Sequence, residues 1–171
     1  NIVADINAPE SKVLQRKMVA SAVTVVKSAN DILPLKNLNN RKIAVVVMGN
    51  ENGVKSMFAR RCTDYAEATV FDYNRVGSLD ALQQKIAKGG FNTVIVCVAT
   101  PAEAYMNATK QLASAGGDVI VATMCHPEKL DLVGSLMGCD KVKASLVTYG
   151  TTMTDEDYLA QTIFGGNAAK G

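Results

Sequence analysis

The sequence predicts an α/β fold: a three-layer α/β/α sandwich built on a mostly parallel, doubly wound sheet of five or six strands. Three observations carry this. Short runs rich in Val, Ile and Thr recur along the chain. Several are apolar at nearly every position, as in Ile43-Ala44-Val45-Val46-Val47. Segments with helical spacing separate them. A half-exposed strand alternates apolar and polar residues, so unbroken apolarity means cover on both faces, as in a parallel sheet between helix layers. Repeated strand–helix alternation then builds right-handed β-α-β units.

The strand runs are Lys42–Met48, Ala68–Tyr73, Thr93–Ala99, Asp118–Met124 and Ala144–Tyr149. Each is short and β-branched enough for a strand. Between them, Val54, Met57, Phe58 and Cys62 share one stripe of a helix over Val54–Tyr65. Leu79, Leu82 and Ile86 do the same over Ser78–Ala87. Pro101–Ala115 is Ala-rich and opens with a proline at a first-turn position. Pro127–Met137 carries Leu130, Val133, Leu136 and Met137. Thr154–Phe164 opens with Thr154 as cap and acids that suit the helix's positive end, and Gly165 is its stop.

Upstream, Leu14, Met18, Ala22, Val25 and Val26 make a helical stripe, which predicts a helix from about Pro9 to Val26 and a connector through Pro34. A short strand within Val23–Lys27 is the alternative, because Val23-Thr24-Val25-Val26 has strand character. No repeat or composition break divides the chain, so residues 1–171 read as one domain: helix and connector over 1–41, sheet core over 42–171. The organisation is flavodoxin-like or Rossmann-like.

Composition narrows the function classes. Hydrophobic residues make up 48% and charged residues 20%, which is enough apolar surface for a packed core. The net charge is +2, from 18 basic and 16 acidic residues, and this near-balance carries no footprint for nucleic acid or an anionic membrane. Arg60-Arg61, with Lys55 nearby, reads as a solvated helix face. The apolar runs fall far short of the roughly 20 residues a membrane helix needs. No signal-peptide pattern is seen. The start at Asn1 fits an excised domain and a processed protein alike. Cys62, Cys97, Cys125 and Cys139 contain no Cys-x-x-Cys spacing, and read as reduced, mostly buried thiols.

In open α/β sheets, ligands bind where strands end and helices begin. After the first strong strand comes Met48-Gly49-Asn50-Glu51-Asn52-Gly53, which has the glycines of a phosphate cradle. It lacks Gly-x-Gly-x-x-Gly and the Lys-Ser/Thr of a P-loop, and Glu51 would repel phosphate. Asp72 ends the next strand, where a ribose-binding carboxylate sits in dinucleotide folds. His126, the one histidine, adjoins Cys125 after a strand; it reads as a base candidate, but more simply as a solvated or capping side chain. Asp155, Glu156 and Asp157 cluster in a helix's first turn, where capping explains them better than glycosidic chemistry. No Gly-x-Ser-x-Gly elbow occurs. With no Trp and 5% aromatics, the chain does not read as an autonomous carbohydrate-binding module.

Two end segments are more specific. Ser21–Lys27 followed by Ile32-Leu33-Pro34-Leu35, then Lys42–Val46, resembles the entry into the C-terminal α/β domain of glycoside hydrolase family 3 enzymes. Residues Thr162–Gly171 resemble that domain's closing helix and its Phe-Gly-Gly…Ala-Lys-Gly exit, closest to the bacterial β-N-acetylglucosaminidase branch. The resemblance spans nearly the whole chain, with a generic α/β middle.

The resemblance implies an accessory domain of a retaining β-glycosidase. Its catalytic Asp nucleophile would belong to an N-terminal barrel of the same polypeptide, outside this chain. In many members a Glu from a loop of the second domain is the acid/base; in the β-N-acetylglucosaminidase branch a His-Asp dyad on a barrel loop replaces it. Glu51 and Glu103 are the glutamates near strand ends here, and neither sits in a long inserted loop. The expectation is therefore no catalytic, cofactor-binding or metal-binding residue in this chain, no cofactor, and no activity alone. The implied partners are the barrel and a β-linked N-acetylglucosamine glycan at the domain boundary, with no nucleic acid and no membrane insertion. The resemblance also implies an extracytoplasmic location, although four free thiols fit the cytoplasm equally well. A flavodoxin-like nucleotide or small-ligand binding module remains the alternative.

Overall fold

The computed structural model describes residues 23–115, 117–125 and 127–165. Six strands form one sheet: β1 (Thr24–Ser28), β2 (Ile43–Met48), β3 (Ala68–Asp72), β4 (Thr93–Val98), β5 (Asp118–Met124) and β6 (Val142–Thr148). The helices are α1 (Met57–Tyr65), α2 (Tyr73–Val76), α3 (Leu79–Gly89), α4 (Glu103–Ser114), α5 (Leu130–Gly134) and α6 (Met153–Phe164). The strand order is β1-β6-β5-β4-β2-β3. Every neighbouring pair is parallel except β1 on β6. This is the expected mostly parallel, doubly wound sheet.

The unbroken apolar runs have the predicted cause. All residues of β2 and β4 are buried. One face of β2 and β4, with Val45 and Ile95, packs under Phe58 and Cys62 of α1 and Leu159 and Ile163 of α6. The other, with Val46 and Val96, packs under Leu82 of α3 and Met106 and Leu112 of α4. Among the described residues no helix is long and apolar enough to cross a membrane.

Four expectations are corrected. The predicted helix from Pro9 to Val26 does not hold at its end: Thr24–Ser28 is strand β1, paired with β6. The sheet core therefore starts before residue 42, and the strand alternative was the right one; residues 9–22 of that helix lie outside the described residues. Pro101 precedes α4 rather than sitting in its first turn, since Ala102 is the N-cap. The helix expected over Pro127–Met137 breaks into a 3-10 turn, Pro127–Lys129, and the short α5. After Gly134 the bonding tightens to three-residue turns, with Leu136 N donating to Val133 O and Met137 N to Gly134 O. Finally, α6 is capped by Thr152 and not Thr154. Its stop is as expected: Gly165 takes the left-handed conformation, with its N–H on Gln161 O.

Candidate functional site

The chain leaves β2 to form β3 on one side and returns to form β4 on the other, so the loops after β2 and β4 diverge. Such a switch point opens a crevice at the carboxyl edge of the sheet. Gly49 begins the β2 loop with φ +72, and a Cβ there would meet Tyr105 at 3.0 Å and Thr100 at 3.3 Å. Its N–H donates to Asn74 Oδ1 at 2.9 Å. Asn74 Nδ2 donates to Tyr105 Oη at 2.8 Å. Thr100 Oγ1 donates to Gly49 O at 3.2 Å. Loops after three strands are thus tied into one polar floor.

Above it lies a crevice of about 310 Å³ lined by Gly49, Asn50, Glu51, Asp72, Asn74 and Arg75. Asp72, 9% exposed, ends β3 and caps α2 by accepting Asn74 N at 3.1 Å. Arg75 Nε stands 3.6 Å from its other oxygen, on a side chain 86% exposed. That oxygen also abuts Gly53, where an added Cβ would lie only 2.3 Å from it. Glu51 is exposed on the loop, and Glu103 is exposed in the first turn of α4. The crevice combines planar amide, carboxylate and guanidinium groups, a set that pairs with hydroxyl groups.

The three adjacent acids of α6 do three different things. Asp155 closes a capping box with Thr152, accepting Thr152 N at 3.0 Å while Thr152 Oγ1 accepts Asp155 N at 3.2 Å. Asp157 pairs with Arg61 at 2.9 Å, so Arg61 is not a freely solvated cation. Glu156 turns inward and is buried. Its Oε1 accepts Phe58 N at 3.2 Å and Asn50 Nδ2 at 3.3 Å. Burial raises its pKa above the usual carboxylate range, and those two hydrogen bonds partly offset the rise. The capping expectation therefore holds for Asp155 within α6, whereas Glu156 supports the neighbouring helix.

This bears on the phosphate-cradle reading. A phosphate would sit at the N-terminus of α1. There Ser56 Oγ accepts Ala59 N at 3.2 Å, and the Glu156 carboxyl takes Phe58 N. The chain's own side chains occupy the donors an incoming anion needs.

Among the other candidates, Cys125 is buried, and burial pushes its thiol pKa up against the opposing pull of Lys129. Burial raises Cys62 and Cys97 as well. Cys62, Cys97 and Cys139 are free thiols, with Cys139 half-buried. His126 lies outside the described residues, so its relation to Cys125 is not placed. Sequence reasoning missed Asn74, Tyr105 and Thr100. The available signal was position for Asn74 and Thr100, each two residues past a strand's carboxyl end, whereas Tyr105 lies in the helix that follows β4.

No protein-family model matches the sequence, and no curated protein matches it in sequence. Solved structures do match in fold. A fungal multi-domain GH3 β-N-acetylglucosaminidase aligns over 94% of this chain and 18% of its own, at 20% identity and TM-score 0.70. A family 3 β-N-acetylglucosaminidase from Paenibacillus aligns over 92% of this chain and 31% of its own, at 15% identity and TM-score 0.62. A GH3 exo-β-xylosidase aligns over 95% and 25%, at 12% identity and TM-score 0.64. This chain thus spans less than a third of each of those chains. Its doubly wound α/β fold is one that recurs as a part of larger family 3 glycoside hydrolases.

Proposed function

We propose that this chain is the accessory α/β domain of a family 3 β-glycosidase, of β-N-acetylglucosaminidase type, packed against a catalytic barrel of the same polypeptide. The observation that carries the reading is coverage: nearly the whole chain superposes on a domain-sized share of family 3 enzymes. The end motifs around Leu33-Pro34-Leu35 and Phe164–Gly171 support it independently, because they are sequence features rather than features of the fold. The β-N-acetylglucosaminidase assignment draws on the Phe164–Gly171 ending and on two of the superposed enzymes.

The domain's chemistry is supporting. Its acids Asp155, Glu156 and Asp157 are committed to capping, internal hydrogen bonding and an ion pair. The nucleophile and acid/base would come from the barrel, and the crevice over Asp72, Asn74 and Arg75 would frame one rim of a cleft for a β-linked glycan.

The test is hydrolysis of chromogenic β-N-acetylglucosaminide, β-xyloside and β-glucoside by the chain alone and by the polypeptide carrying its native upstream residues. The expected result is silence alone and turnover of the N-acetylglucosaminide by the longer polypeptide. Turnover by this chain alone would sink the accessory-domain reading. Preference for the xyloside or glucoside would remove only the sugar assignment.

A further inference from the structure

The two outer strands of the sheet are finished differently. At one side, β1 pairs with β6 through a register shift between Val25 and Lys27, and Lys27 Nζ reaches across to donate to Cys139 O at 2.9 Å. A bulge and a lysine are two of the features that keep an edge strand from pairing again. At the other side, β3 pairs with β2 in unbroken register, from Ala68 opposite Ile43 to Asp72 opposite Val47. Ala68–Asp72 contains no Pro, Gly or Lys. Among the described residues no further backbone bond reaches residues 68–71, and Thr69 is exposed. A regular strand with an open row of N–H and C=O groups is a template for another strand.

Both apolar layers also run out at β3. Ala68 and Val70 are half-buried against the layer under α1 and α6. Phe71 is half-buried against the layer under α3 and α4, where its ring meets Phe91 edge to face at 5.9 Å. A strand added beside β3 would cover side chains on both faces as well as pair the backbone.

The charges name the occupant. Glu67, just before the strand, is exposed and joins no ion pair among the described residues. Arg75, just past the other end, is 86% exposed and stands 3.6 Å from Asp72, beyond hydrogen-bond reach. A strand of the same sequence laid antiparallel brings its Arg75 towards Glu67 and its Glu67 towards Arg75. A two-fold axis makes both contacts at once.

We propose that β3 is a docking edge for a second copy of this chain, paired antiparallel about a two-fold axis near Val70, so that the two sheets join into one. The contact is independent of the accessory-domain reading and goes beyond it. Five residues make a short seam, so the dimer is weak and concentration-dependent.

Sedimentation velocity of this chain over a wide concentration series tests the pairing, with backbone amide exchange read at both ends of the series. The expected result is a monomer–dimer equilibrium in which the amides of Ala68–Asp72 exchange more slowly at high concentration, while those of Thr24–Ser28 do not change. A chain that stays monomeric throughout overturns the proposal, and so does a dimer that leaves Ala68–Asp72 unprotected. Thr69→Lys places a lysine on the open edge and should abolish the dimer with the thermal melt unchanged. Glu67→Arg and Arg75→Glu should each weaken the dimer several-fold, since each sets like charges against each other. An equimolar mixture of these two variants should recover the parent's association, because each supplies the charge the other lacks. A mixture that associates no better than either variant alone overturns the antiparallel arrangement, and it does so whether or not Thr69→Lys folds.

Discussion

Glu156 shows how little of a side chain's role is local. Asp155, Glu156 and Asp157 are consecutive acids in one helical turn, about 100° apart around the axis. Only the placement of α6 beside α1 sends the middle one inward to Phe58 N and Asn50. Because burial raises its folded pKa, Glu156 ionises more readily in the unfolded chain. Its contribution to stability is complete below the ordinary glutamate pKa and is lost as pH rises through the raised folded value. Glu156→Gln retains an acceptor oxygen and removes that loss. Urea midpoints measured across this window should therefore show the variant gaining on the parent as pH rises. Parallel curves would mean that Glu156 is not buried as described. Glu156→Ala instead leaves Phe58 N and Asn50 without their partner and should cost about 1–3 kcal/mol below the ordinary glutamate pKa, the gap narrowing as pH rises.

At the scale of elements, ends were harder to read than existence. The runs at 43–48, 93–98 and 118–124 match strands closely, because residues buried on both faces leave an unbroken apolar run that is β-branched and too short for a helix. Helix starts depend on which of several polar residues meets the free N–H groups. Thr152 and Thr154 both precede the apolar stripe of α6, and Thr152 takes the cap because Asp155 lies three residues on and answers its N–H. Gly150 leaves room for this: a Cβ there would lie 2.1 Å from Asp155 Oδ2. Thr152→Ala removes the reciprocal pair and should destabilise the fold by about 0.5–2 kcal/mol. Thr154→Ala should fall within about 0.5 kcal/mol of the parent. Equal losses in denaturant melts would return the cap to Thr154.

At the scale of the molecule, one sheet is shared by two cores. Leu82 of α3 and Leu159 of α6 are fully buried on opposite faces. Truncating either to Ala should cost about 2–5 kcal/mol through lost burial and the cavity left behind. With the sheet between them they share no partners, so the double variant should lose the sum to within about 0.5 kcal/mol. A strongly sub-additive double variant, or two separate transitions, would show that the layers do not unfold as one unit. The same two-sided construction leaves the carboxyl edge as the place where loops from several strands meet. There lie the switch-point crevice and, among the described residues, the exposed side chains of Val54, Leu130, Tyr149 and Met153.

By itself the sequence determined the class of fold, most of the strands and the two helix layers, since these follow from periodicity and from apolarity that local composition records. It also flagged the loop at 48–53 and Asp72 as the edge where a site would form. Tertiary structure alone decided three things. Thr24–Ser28 became a strand because the edge of β6 was open to pair with it, whereas its β-branched residues also fitted a helical stripe. Asn74, Tyr105 and Gly49 became one hydrogen-bonded floor because the switch in strand order brings loops distant in sequence together. Glu156 became the support of α1 because a carboxylate's partners are set by what packs beside it, and no pattern along its own helix encodes that.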